Sequence, residues 1–304
     1  MAITNNDVKF LFYGKSLGVS FLKTLTLGRL ELYVNKEQIN LQADYFKNKI
    51  DTNSVNFNDQ YADPLFQLLG AEKTDSLDYS DYQGATIIHD LNTTFPENLI
   101  SKYSVVIDSG TLEHVFNFPV AIENCMRAIQ VGGHFIGVTP ANNSMGHGFY
   151  QFSPELFYTI FSAANGFEIV KMIITACDEE GNFDNWYEVI NPAVSGGRVV
   201  LTNQLPTYLL IIAKKISDKK VFEVIPQQSD YTTTWDKHIP QKNVGITGPQ
   251  GLKQKIKQLS PLRSRVILKL IYTELKKKNA LTKDLGGPVI PTFFCGICLS
   301  HVVV

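Results

Sequence analysis

The feature that most constrains this chain is a set of short apolar runs that stop on carboxylates. "KTDSLD" ends at Asp78, "GATIIHDLN" reaches Asp90, and "YSVVID" ends at Asp108. "ATII", "VVI" and, further on, "FIGV" are continuous rather than alternating, as strands buried on both faces should be. Helix signals fall between them. Asn35 with Gln38 forms a capping box opening "KEQINLQADYFKNK", and "DPLFQLLGA" offers Asp63 as N-cap, Pro64 at the first position and Gly70 as stop. "FPVAIENCMRAIQ" reads as a helix, as does "SPELFYTIFSAANG", with Ser153 as cap, Pro154 first and Gly166 last. "KTLTLG" at Lys23–Gly28, "GGHFIGVTP", "FEIVKMIITA" and "TYLLIIAKK" supply further strands, and an N-terminal helical region precedes them all. The alternation predicts an α/β fold, an open and largely parallel sheet with helices on both faces. Ligands of such sheets bind outside the carboxyl ends of the strands, where the strand order reverses. Turn chemistry there would accept Asn, Ser or Gly, so three acids at strand exits exceed what the fold requires.

With 304 residues, 44% apolar and 19% charged, the chain fits one large domain plus an extension and neither a disordered nor a membranous class. Its run "YLLIIA" is too short to span a bilayer. "MAITNNDVKF" lacks the pattern of a secretory signal, and the cysteines do not form a disulfide framework, so the expected compartment is the cytoplasm. Residues 251–304 carry ten Lys and Arg against two acids, which suits either a solvated helical cap or a surface for nucleic acid or membrane. The stretch lacks the interleaved aromatics of base-stacking surfaces, and nucleic acid is not the expected partner. Leu252, Ile256, Leu259, Leu262, Val266, Leu270 and Ile271 have the spacing of amphipathic helices that could cap a crevice or make a homo-oligomer contact. The expected division is 1–215 as the sheet domain and 216–304 as a mostly helical, basic extension. Cys295 and Cys298, with His301 nearby, fall short of a zinc set, and no metal site is expected. Gly14-Lys15-Ser16 has no glycine five residues earlier, which excludes a P-loop, and "GRLELY" after the first strand excludes the dinucleotide turn.

A carboxylate at one strand end can accept from both hydroxyls of a ribose, and one on the next strand from the amino group of adenine. In "DSLD", "HDLN", "DSGTLEHV", "VGGHFIGVTP" and "QLPTYLLIIAKK" the chain resembles the class I S-adenosylmethionine-dependent methyltransferases, over roughly residues 20–215. The resemblance implies a Rossmann-like seven-stranded sheet whose last strand is antiparallel. It implies S-adenosylmethionine as cofactor, with Asp78 at the ribose and Asp90 and the Leu91 backbone at the adenine. Asp108, Ser109 and Gly110 would then lie near the methionine end. The first strand departs from the pattern. In "LTLGRLELYV" Thr26 stands where an acid is usual, Gly28 is kept, and Arg29 and Leu30 replace a glycine-rich turn. Backbone amides of Gly28 and Arg29 and a side chain from the inserted segment, such as Tyr61, could substitute in holding the amino-acid end.

Methyl transfer from a sulfonium is a direct displacement in which alignment is the protein's main contribution. A hydroxyl acceptor also needs a base. His147, between Gly146 and Gly148 after the fifth strand, is the first candidate and His114 the second; Tyr150 fits an aromatic wall better than a base. Trp186 and Tyr187 are open to either covering an acceptor or packing. The expected acceptor is a hydroxyl or amine of a small molecule. The alternatives are a degenerate fold used for binding or scaffolding, and a methyltransferase for nucleic acid or protein acting through the basic tail.

Overall fold

The computed structural model describes residues 2–57, 59–178, 181–183, 185–195, 198–238 and 299–301. The chain divides into two compact units, Met1–Thr233 with Cys295–Val304, and Thr234–Phe294. The sheet lies in the first. The basic amphipathic stretch and the Cys295–Cys298 pair fall outside the described residues.

In chain order the strands are β1 (Ala2–Ile3), β2 (Lys23–Leu27), β3 (Glu31–Leu32), β4 (Lys73–Asp78), β5 (Ile87–Ile88), β6 (Tyr103–Ser109), β7 (Ile129–Asn142), β8 (Phe167–Ala176), β9 (Tyr187–Val189), β10 (Thr207–Lys215) and β11 (Leu299–His301). The α-helices are α1 (Asn5–Ser16), α2 (Lys36–Tyr45), α3 (Asp63–Leu68), α4 (Phe118–Ala128), α5 (Pro154–Ile160), α6 (Pro192–Ser195) and α7 (Ser229–His238). The main sheet runs β11-β9-β8-β10-β7-β6-β2-β4-β5, while β1 pairs with β3 in a separate two-stranded sheet. From β2 the chain steps outward to β4 and β5, then returns to β6 on the other side of β2. That reversal is the switch point at which such sheets bind ligands. β5, β4, β2, β6 and β7 are mutually parallel, and β10 is antiparallel to both β7 and β8. The seven expected strands are present; β9 and β11 extend the β8 edge, and β9 lies in a segment expected as a connection.

Side-chain alternation puts a separate core on each face. Val106 on β6 and Leu209, Ile211 and Ala213 on β10 join Phe118, Ile122, Cys125, Phe157 and Phe161 beneath α4 and α5. Val105, Ile107, Leu210 and Ile212 join Phe10, Phe12, Ile39, Leu65 and Phe66 from α1, α2 and α3.

Several local expectations shift. Ala62, not Asp63, is the N-cap of α3, so Asp63 sits inside the first turn with Pro64 after it. Only Ile87–Ile88 of "GATIIHDLN" pairs as strand. β7 begins directly after α4, and the register slips between Tyr103↔Ile129 and Val105↔His134. The glycine pair occupies that slip. A Cβ at Gly133 would stand 2.8 Å from the Ser104 carbonyl oxygen, so the close strand approach there needs glycine. The capping box at Asn35 and the Ser153 cap form as the residues suggest.

Candidate functional site

A cavity of about 210 Å³ opens at the carboxyl ends of β2, β4 and β5 and is lined by Gly28, Leu77, Asp78, Tyr79, His89, Asp90, Leu91, Asn92, Thr111, His114 and Val115. Asp78, at the end of β4, and Asp90, two residues past β5, both line it. Asp78 is in register with Ile88, and the Asp78 carbonyl accepts from the His89 amide at 2.9 Å. This bond puts Asp90 just past the last ladder contact. The Asp78 Oδ1 atom accepts from the Tyr79 amide at 2.6 Å. Asp90 Oδ1 accepts from the backbone and side-chain nitrogens of Asn92 at 2.9 and 2.8 Å, which turns the chain away from the sheet and ends β5 early. Those two bonds hold the Asp90 carboxyl below its ordinary pKa, so it is kept as an acceptor.

Gly28 lines the cavity with φ +77°, but its amide already donates to the Leu77 carbonyl at 2.6 Å. Arg29 points elsewhere. Its guanidinium lies 3.9 Å over the Tyr61 ring and donates to the Gln83 and Gly84 carbonyls, bracing the turn between β4 and β5. Asp108, Ser109 and Gly110 do not line the cavity. Asp108 is fully buried and accepts from the Thr111 and Leu112 amides at 2.9 and 3.2 Å. Burial, then the neighbouring Glu113 carboxyl, raises its pKa well above the ordinary value. The Ser109 hydroxyl donates to Asp7 on α1 at 2.9 Å, and burial raises the Asp7 pKa too. Thr111 Oγ1 donates to the Leu27 carbonyl at 2.9 Å, tying the end of β2 to the turn after β6.

That turn carries a cluster of titratable groups. Residues Leu112–His114 form a 3-10 turn. It directs Glu113 inward, where only 1% of its side chain is exposed, and sends His114 to the cavity wall. Glu113 Oε1 lies 3.4 Å from His147 Nε2 and has no hydrogen-bond partner among the described residues, while Oε2 accepts a long bond from Thr139 at 3.5 Å. Burial lifts the Glu113 carboxyl to about 7. The His114 and His147 rings meet edge to face with centroids 5.0 Å apart. Burial first and His147 second lower the His114 pKa. Glu113, His114 and His147 therefore present three ligand atoms within 4.8 Å of one another.

The loop bearing His147 hangs on Glu113 itself. The Phe149 and Tyr150 amides both donate to the Glu113 carbonyl, at 2.8 and 3.2 Å. Gly148 has φ +75°, and a Cβ there would lie 2.8 Å from the same oxygen. The Tyr150 hydroxyl donates to the Phe116 carbonyl at 2.6 Å and its ring stacks on Phe152, so it braces the loop as a wall. Phe116 and Phe149 form an exposed apolar pair with rings 5.9 Å apart, and Met145, on the same loop as Phe149, is exposed as well. Trp186 lies elsewhere, buried among Phe10, Tyr13 and Phe46. Sequence reasoning brought His114 and His147 forward and passed over Glu113, although it stands beside His114 in "LEHV". An acid in a turn looks solvated until its direction is known.

No family model and no curated protein matches the chain. Solved structures similar to it include a branched-chain polyamine synthase from Thermus thermophilus in complex with N4-aminopropylspermidine and 5'-methylthioadenosine, at 12% identity and TM-score 0.36. The match covers 75% of this chain and 64% of that one, so the chain spans less than two thirds of that protein's length. A 1,6-didemethyltoxoflavin-N1-methyltransferase from Burkholderia thailandensis, with bound 1,6-didemethyltoxoflavin and S-adenosylhomocysteine, matches at 10% identity and TM-score 0.33, over 68% of this chain and 79% of that one. The trans-methyltransferase CalH, in complex with S-adenosylhomocysteine, matches at 12% identity and TM-score 0.35, over 69% and 57%. The fold rests instead on the chain's own pairing, a doubly wound sheet with an antiparallel seventh strand, the sheet that a resemblance to the class I methyltransferases implies.

Proposed function

We propose that the chain is an S-adenosylmethionine-dependent methyltransferase acting on a hydroxyl or amine of a small molecule. The observation that carries this reading is the convergence of Asp78, at the end of β4, and Asp90, just past the adjacent parallel β5, on one cavity at the switch point. Asp78 accepts from the ribose hydroxyls, and Asp90 with the Leu91 backbone takes the edge of the adenine. Leu77, Leu91 and Val115 give the base apolar walls. The bound cofactor supplies an electrophilic methyl on a sulfonium.

The acceptor enters past Phe116, Met145 and Phe149, whose exposed apolar surface suits a small aromatic or aliphatic body. His114 stands between the nucleoside cavity and His147. The acceptor's reactive atom is held against this polar wall, which takes up its proton as the new bond forms. The Gly28 amide is already spent on the Leu77 carbonyl and the Arg29 guanidinium on the Gln83 carbonyl, so neither group is the one that holds the amino-acid end of the cofactor. No helix among the described residues is long and apolar enough to cross a membrane.

Calorimetry with S-adenosylhomocysteine tests the reading. Wild-type protein should bind it, and Asp78→Asn should weaken binding by about 10–100-fold, the worth of hydrogen bonds to a charged group. An unchanged affinity would remove Asp78 from the ribose. Binding without turnover on any acceptor would favour the degenerate binding module.

A further inference from the structure

We propose that Glu113, His114 and His147 form a binding site for a first-row divalent cation, of the zinc and cobalt class. Two nitrogens and one carboxylate oxygen are a donor set for such ions, and three protein ligands leave a coordination position open. The three ligand atoms already lie within 4.8 Å of one another. With bonds of 2.0–2.1 Å, neighbouring donors of a tetrahedral ion sit about 3.3 Å apart. Glu113 Oε1 and His147 Nε2 are 3.4 Å apart, so one edge of that figure is in place.

Glu113 gives the independent reason. Its side chain is 1% exposed, and Oε1 is buried with no hydrogen-bond partner among the described residues, aimed at His147. A buried carboxylate oxygen left unpaired is costly, and here a second buried carboxyl, Asp108, lies beside it. Among the described residues no lysine or arginine forms an ion pair with Glu113. A cation between the carboxylate and the imidazoles satisfies Oε1 and offsets both acids. His147 lies half-exposed on a glycine-flanked loop and His114 on the turn's surface, so both rings can turn the remaining distance while Glu113 stays fixed.

The site binds its ion whether or not the methyl-transfer reading holds. Its use in catalysis rests on that reading: with the ion bound, the open position takes the acceptor's oxygen or nitrogen beside the nucleoside cavity, and the proton leaves to solvent in place of the imidazoles, which are then ligands.

The full chain, freed of metal by chelation and dialysis, is titrated with Co²⁺ alone, without cofactor or acceptor. The expected result is one Co²⁺ per chain with visible absorption of a nitrogen- and oxygen-ligated, low-coordinate ion. Glu113→Gln and His147→Asn should each weaken binding by more than about 100-fold, beyond the range of changes made one shell out. His147 lies on an exposed loop, so its replacement leaves the fold intact and keeps the test valid if Glu113→Gln unfolds. No stoichiometric binding, or binding that His147→Asn leaves unchanged, overturns the proposal. So does a spectrum dominated by thiolate charge transfer in the near ultraviolet, which would assign the ion to cysteine.

Discussion

Ser109 illustrates how a residue's neighbours decide its work. The resemblance places its hydroxyl near the methionine end of a cofactor, whereas in the structure that hydroxyl donates to Asp7 and both residues are buried. Ser109→Ala should therefore lower unfolding free energy by about 1–3 kcal/mol, the cost of stripping a buried acid of a partner, and leave affinity for S-adenosylhomocysteine unchanged. Chemical denaturation and calorimetry on the same variant check the two halves. A drop in affinity at unchanged stability would return Ser109 to the cofactor. Asp108 reads similarly. Its position at a strand exit is visible in the sequence, but its use as an acceptor for the amides of Thr111 and Leu112 depends on the 3-10 turn that follows. Patterns of residue type place an acid at a strand end; they do not say which way it turns.

Between elements, strand register creates a titration of its own. β7 and β10 pair so that Lys214 faces His134, whose Nδ1 is buried without a partner among the described residues. Burial first and Lys214 second push the His134 imidazole down to about 4. The unfolded chain takes up this proton near pH 6.5 and the folded one only near 4, so stability falls as pH drops through that window and levels off below it. The interval corresponds to about 3 kcal/mol at most. His134→Gln should flatten the Tm profile between pH 4 and 6.5 relative to wild type; parallel profiles would exclude His134 as the source. "GGHFIGVTP" was legible as a strand because its apolar run is continuous. The extra residues before it were not, because a slip in register leaves no mark in hydrophobicity beyond the glycines it requires.

For the molecule as a whole, the order of strands and helices was legible, since buried parallel strands and capped helices leave strong local patterns. The switch-point cavity followed from that order, and with it the meeting of Asp78 and Asp90. The Glu113 cluster was not legible, because it depends on a loop 34 residues further along the chain hanging from the Glu113 carbonyl. Both cores share one sheet, and this sharing predicts a single cooperative unfolding event. Leu209→Ala empties a site in the core under α4 and α5, while Trp186 lies in the opposite one. In a Trp235→Phe background, Trp186 fluorescence and far-ultraviolet dichroism should report the same transition, with Leu209→Ala lowering both by about 2–5 kcal/mol. Two separated transitions would mean the faces unfold independently.

The shortness of β5 makes the two ends of the cleft unequal in stiffness. Asp90 follows an edge strand with two ladder positions, whereas Glu113 follows a seven-residue strand paired on both sides. A visitor to this crevice thus meets a yielding threshold at Asp90 and a rigid anvil at Glu113.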